Sequence, residues 1–216
     1  MAHQGRGYSG RNSLSEIRLW ASKVVAKSIK SVEHLALLIS CTSIVRVSGP
    51  RYIEAPSCAR LGDAADYLSL LNPKLVSSIK KALDYRAKVL EALAEFELYA
   101  TWKKQLLAVY VERYGSGRFK VKRVRRGDKH QTYLVFETYA DSKTVVVEDP
   151  NALKQFKKYI EAKDAARTSL GHYMAMLRKL AKAEDPLAQK ATRILEREVL
   201  ELRKKIRSLE RFIEMP

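Results

Sequence analysis

Between residues 118 and 148 polar and apolar side chains alternate, whereas on both sides of that stretch apolar residues return every three or four positions. Alternation is the signature of strands, and the three-to-four step is that of helices. The chain therefore reads as long helices around one small sheet. Its fold class is mainly α (α+β), with a three-stranded antiparallel β-meander and a C-terminal helical hairpin or coiled coil packed around it. Residues 1–12 form a basic tail with no fold of its own. Residues 13–149 form a helical region carrying the meander, and 150–216 form the hairpin on the same core.

Ser13-Leu14-Ser15-Glu16 is a capping box, and the pattern predicts one helix from there to about Ser40. Ile17, Ala21, Val24, Ser28, Val32, Leu35 and Ile39 are its inward stripe. Residues 42–59 read as irregular, with Ile44–Val47 and Tyr52-Ile53 as short strands extending the sheet. A short helix is expected over 63–71. Asn72-Pro73, Asp149-Pro150 and Asp185-Pro186 each place a capping side chain before a proline suited to a first helical turn. Three helices should start there. The first stops at Gly115 and turns Val76, Ile79, Leu83, Leu90, Leu93 and Leu107 inward. The second runs to about Lys182, with Leu153, Phe156, Ile160, Ala166, Leu170, Tyr173, Leu177 and Leu180 inward. Gly171 within it marks a close-packing point or a weak spot. The third carries the cleanest stripe, Ala188, Ala191, Leu195, Val199, Leu202, Ile206, Leu209 and Ile213, narrow as in a coiled coil. Its partner is either the preceding helix or a second copy of the chain.

The meander reads as strands 118–126, 131–139 and 143–148, with turns at Gly127-Asp128 and Asp141-Ser142. Alternation then assigns the faces. Phe119, Val121, Leu134, Phe136, Val145 and Val147 form a core face. Arg118, Lys120, Lys122, Arg126, Tyr133, Glu137 and Tyr139 form the other. Arg123 and Arg125 lie beyond the apolar part of the core face, near the hairpin tip.

Charge sharpens this picture. The chain of 216 residues has a formal net charge of +17, and basic residues outnumber acidic ones in every region of it. The density peaks in the hairpin, where Arg118 to Lys129 holds seven Lys or Arg against one acid, Asp128. Such a surface attracts polyanions. Nucleic acid, DNA or RNA, is the partner it suggests. A basic ribbon can enter a duplex groove, or a sheet face with Tyr133 and Tyr139 can stack unpaired bases. The plain alternative is a sheet edge charged against aggregation. Lys23, Lys27 and Lys30 make a second basic stripe, and Arg6 and Arg11 sit among glycines in the tail.

Little else points to chemistry. His3, His34, His130 and His172 are not at metal-ligand spacing with Cys41 or Cys58. The chain has neither a phosphate-cradling glycine loop nor a nucleophile elbow, so it reads as non-enzymatic, without cofactor or metal. It shows no membrane-length apolar run and no signal pattern. An intracellular setting is expected, in cytoplasm or nucleoid or packaged with nucleic acid in a particle. The two cysteines fit reduced thiols. Scarce Asn and Gln beside abundant Lys, Arg and Glu suggest a hyperthermophile, where Cys41 and Cys58 would be able to pair. The function expected is that of a structural or architectural nucleic-acid-binding protein. The alternative is a coiled-coil scaffold whose partner is protein, or a second copy bound through residues 188–213.

Overall fold

A computed structural model describes residues 13–48, 58–126 and 129–211. Their order is α1 (Leu14–Ser28), α2 (Val32–Ser48), a 3-10 segment (Cys58–Leu70), α3 (Pro73–Tyr114), β1 (Gly117–Arg126), β2 (Lys129–Thr138), β3 (Thr144–Val146), α4 (Ala152–Ala181) and α5 (Pro186–Arg211). The fold is mainly α with one antiparallel sheet in the order β1-β2-β3. It forms two compact units. One holds the described residues up to Leu83 with Met176–Arg197, and the other holds Asp84–Ala175 with the residues from Glu198 onward. Helices α3, α4 and α5 each contribute to both.

In the first unit the capping box forms: the Glu16 N–H donates to Ser13 Oγ at 3.3 Å, and the Ser13 N–H donates to Glu16 Oε2 at 2.7 Å. The expected single helix, however, is two. Ile29 is extended, and a second cap restarts the chain. The His34 N–H donates to Ser31 Oγ at 3.3 Å, and the Lys30 N–H donates to the His34 imidazole at 3.2 Å. Side chains that bond nearby backbone compete with helix continuation, and a serine three residues before a histidine carried that signal unread. The break rotates the inward face, so Val25, Ile29 and Leu38 are buried while Ile17, Val24, Ser28 and Val32 are only half-buried. Residues 44–47 are helical, not a strand. Their β-branched character was outweighed by continuation of an already formed helix, in which Thr42 and Ser43 hydroxyls donate to carbonyls of Leu38 and Ile39. Tyr52-Ile53 lies outside the described residues. The helix expected over 63–71 begins earlier, at Cys58, and is kinked at Gly62.

Cys41 of α2 and Cys58 form a disulfide, with Cα atoms 5.8 Å apart and both side chains buried. Sequence alone favoured free thiols, because nothing local reports that residues 17 apart converge. A bridge closing a loop of that length stabilises by about 3 kcal/mol. Melting with and without reductant should differ accordingly; identical curves would mean that the bond is not formed in solution.

Proline-led starts hold. Asn72 Oδ1 accepts from the Lys74 N–H at 3.0 Å, and Asp185 Oδ1 accepts from Leu187 and Ala188 at 2.8 and 3.2 Å. The buried Ser22 hydroxyl also donates to Asp185. Asp149 caps a turn that precedes α4, whose first residue is Ala152. Helix α3 ends as expected at Gly115, whose φ of 84° disfavours any side chain.

In the second unit α3, α4 and α5 pack side by side. Arg86 grips Glu198 with two hydrogen bonds of 2.6 Å, Lys205 pairs with Glu97 at 2.6 Å, and Arg167 pairs with Glu210 at 2.5 Å. Along α5 the stripe positions Ala188, Ala191 and Leu195 of the first unit and Val199, Leu202 and Ile206 of the second are buried, and Leu209 is half-buried. Ile213 lies outside the described residues. Among the described residues this apolar seam is thus filled within one chain. Two expected core positions are instead exposed, Leu90 and Ile160, while Val89, Phe96, Tyr159 and Ala162 are buried. A stripe at 3.6 residues per turn drifts, and which neighbour faces inward depends on where the partner helix crosses. Tyr173 is buried, as its place in the stripe implies, His172 beside it is exposed, and Gly171 has open space where a Cβ would stand. Among the described residues no helix is long and apolar enough to cross a membrane.

Candidate nucleic-acid interface

The sheet is anchored by aromatic rings. Phe119 and Phe136 are cross-strand partners with ring centroids 5.3 Å apart. Tyr110 of α3 meets both at 5.4 and 5.5 Å, and Phe156 of α4 meets Phe119 at 6.4 Å. Such pairs add to plain area burial. Gly117 makes room for this cluster, because a Cβ there would lie 2.6 Å from the Phe136 ring and 2.5 Å from the Glu137 carbonyl oxygen. The core face is therefore the one expected, with Phe119, Leu134, Phe136 and Val147 buried. It fades toward the tip, where Val121 is 41 % exposed.

At the first turn, Arg126 and Lys129 are register partners. The second is longer than expected. The Thr138 N–H donates to the Lys143 carbonyl at 3.0 Å, so the turn is Tyr139–Ser142, with Ser142 at φ 53°. A change from two to four turn residues preserves the faces, because side chains alternate with period two. The Thr138 hydroxyl and the Lys143 N–H both donate to Asp141, holding its carboxyl below the usual range.

The second face is less uniformly cationic than its sequence implies. Arg118 lies opposite Glu137 and pairs with it at 3.3 Å, and Lys120 pairs with the same carboxylate. The Lys120 ammonium above all holds the Glu137 carboxyl below the usual range, against desolvation that raises it, and the Arg118 guanidinium adds to the lowering. Val135, between Lys120 and Val146 in the register, is 3 % exposed. The centre of this face is thus not an open binding surface.

More exposed cations lie further out. Strand β3 pairs only with residues 135–137, so the hairpin beyond them is a two-stranded arm. Lys122, Arg123 and Arg125 of β1 and Lys129 and His130 of β2 are exposed along it. Lys122 and Lys129 sit on one face and Arg123 and Arg125 on the other, so the arm is cationic on both sides. Lys122 Nζ donates to Thr144 Oγ1 at 2.9 Å, a neutral partner that positions its charge without cancelling it. Tyr133 is half-buried and donates to Gln131, whereas Tyr139 has left the strand for the second turn. Six residues of strand separate them by roughly 20 Å, so they do not form one stacking platform.

The remaining expected residues are scattered. Lys23 and Lys27 are exposed on α1 in the first unit, but Lys30 falls in the break after it, so the helical stripe is interrupted. Arg6 and Arg11 lie outside the described residues. Among the described residues no group of His, Cys, Asp and Glu side chains is placed to hold a metal ion. Thr144 and the neutralising role of Glu137 were missed from sequence; cross-strand register, once the first turn length is known, would have paired Arg118 with Glu137. No family model matches the chain, and no curated protein or solved structure matches it either.

Proposed function

We propose that the chain is a non-enzymatic nucleic-acid-binding protein of structural or architectural kind, contacting the phosphate backbone through the β1–β2 arm. The observation that carries this reading is the projection of Lys122, Arg123, Arg125 and Lys129 from both faces of a two-stranded ribbon, beyond the point where the single Glu137 carboxylate pairs with Arg118 and Lys120. An arm charged on both sides reaches phosphates whether it enters a groove or lies along a single strand. A scaffold role through the heptad seam draws less support, because the described part of that seam is buried in the chain's own core.

Affinity for a labelled oligonucleotide, measured over a range of salt, tests the reading. Each phosphate neutralised contributes about −0.9 to the log–log slope on duplex and about −0.7 on a single strand. Replacing Lys122, Arg123 and Lys129 with Ala should flatten the slope by roughly two to three units. Replacing Lys23, Lys27 and Lys30 removes the same formal charge and should change it far less. Equal losses would reduce the binding to diffuse attraction, and a parent that binds nothing at low salt would end the proposal.

A further inference from the structure

Within the second unit, α3 and α4 leave a surface groove of about 440 Å³ between them, a size suited to a small ligand. Helix α3 lines it with Leu98, Tyr99 and Trp102, α4 with Lys154, Gln155 and Lys158, and the turn before α4 with Asn151. The α4 residues are spaced i, i+1 and i+4, which places Lys154 and Lys158 one turn apart on the same helical face. The packing of the two helices is fixed below the groove by Phe96 against Tyr159 at 5.8 Å, with the Lys103 ammonium 4.5 Å over the Tyr159 ring.

The lining is unusual for a solvated seam. Leu98 is 65 % exposed, and Tyr99 and Trp102 are each only half-buried, although the neighbouring Phe96 and Ala100 are buried. Two lysines, an asparagine and a glutamine line the groove with these residues, and the lining contains no carboxylate. Lys158 Nζ stands 5.8 Å from the centre of the Tyr99 ring and so occupies part of that aromatic surface. That makes Trp102 the better platform for a flat ligand. An aromatic platform, amides able to both donate and accept, and cations at the rim match the three parts of a nucleotide: base face, base edge and phosphate.

We infer that this groove is a binding subsite for one unpaired nucleotide, stacked on Trp102, with Asn151 or Gln155 at the base edge and Lys154 and Lys158 at the phosphate. The inference rests on the nucleic-acid reading above and deepens it. The arm supplies backbone affinity independent of base, and the groove adds a preference for single-stranded over paired nucleotides. A nucleotide unit of a strand and a free nucleotide share the same chemistry.

The test compares three probes by fluorescence anisotropy: a labelled twelve-residue oligothymidylate, its abasic counterpart with the same phosphates, and a duplex of equal length. Trp102→Leu keeps an apolar side chain at a half-exposed site. It should weaken oligothymidylate binding about tenfold, within the range that stacking contributes, and leave the abasic and duplex probes unchanged. Lys154→Gln with Lys158→Gln should weaken oligothymidylate binding too. Parental affinity for oligothymidylate in Trp102→Leu, or an equal loss on the abasic probe, would overturn the subsite.

Should Trp102→Leu melt below the parent, Trp20→Phe provides the second measurement, because it leaves Trp102 as the single tryptophan. Its fluorescence should be quenched saturably by oligothymidylate and not by the abasic strand; absence of quenching overturns the subsite. Titration with free thymidine monophosphate separates the two sources. Quenching at concentrations well above those needed with the oligomer supports a strand unit, and quenching at lower ones a free-nucleotide site. A parent that binds the abasic and duplex probes without involving Trp102 refutes the subsite alone. A parent that binds neither of them, yet is quenched by the free nucleotide, refutes the arm alone.

Discussion

A chain carrying Leu202→Ala and Ile206→Ala is expected to lose about 4 to 10 kcal/mol of stability. Both side chains are buried, at 7 % and 4 % exposure, one turn apart on the inward stripe of α5. Each truncation of a buried Leu or Ile costs about 2 to 5 kcal/mol, as lost transfer energy plus the cavity left behind. As neighbours they share partners, so the sum of about 4 to 10 kcal/mol is only approximately additive. It is still comparable to the whole stability of an ordinary domain, roughly 5 to 15 kcal/mol. Surface ion pairs such as Lys205 with Glu97 would remain, but pairs of that kind contribute too little to compensate. Urea melts followed by circular dichroism provide the measurement. A double variant that melts like the parent would mean that the seam is not buried in solution. Sedimentation of the parent checks the same point from another side, since a seam filled within one chain does not need a second copy.

Phe136→Ala should cost about 3 to 5 kcal/mol, while Tyr133→Ala should change stability by no more than about 1. The two residues are three apart on β2 and point to opposite faces. Phe136 is fully buried, with ring neighbours Phe119, Tyr110 and Tyr114 at 5.3, 5.5 and 6.5 Å. Its removal leaves a cavity against Gly117, a position with no side chain to move into the space. Tyr133 is half-buried on the other face, and its hydroxyl donates to the exposed Gln131. Thermal melts of the two single variants suffice. The reverse order of effects would mean that the strand is out of register by one residue.

The two variants differ in what could be foreseen about them. The face of Phe136 was legible because side-chain direction in a strand has a period of two, and turns of two or four residues leave that parity unchanged. Helix starts at Ser13, Asn72 and Asp185 and the stop at Gly115 were legible for a similar reason. Each depends on hydrogen bonds within a few residues of the cap. The α5 stripe was legible because one narrow face repeated through the described helix.

The electrostatics of the hairpin were not legible at the same level. Sequence showed seven cations between Arg118 and Lys129, but not that Glu137 would pair with both Arg118 and Lys120 and offset part of their charge. It did not show that Val135 would be buried on the face assigned to binding, or that the residues lining the α3–α4 groove, fifty apart in the chain, would face one another.

What the sequence by itself determined, then, is the helices and strands from Asn72 onward with most of their ends, the two faces of the sheet and the concentration of positive charge in one hairpin. Tertiary structure decided which cations pair with Glu137, that Cys41 meets Cys58, that the long first helix breaks at Ile29, and that Ile160 faces out while Tyr159 faces in. The physical reason is one of range. Caps, turns and alternation are set by bonds and clashes among residues a few positions apart, which the sequence states directly. Charge neutralisation, disulfide pairing and the inward phase of a drifting helical stripe depend on which distant element arrives beside them, and that follows only from how the whole chain packs.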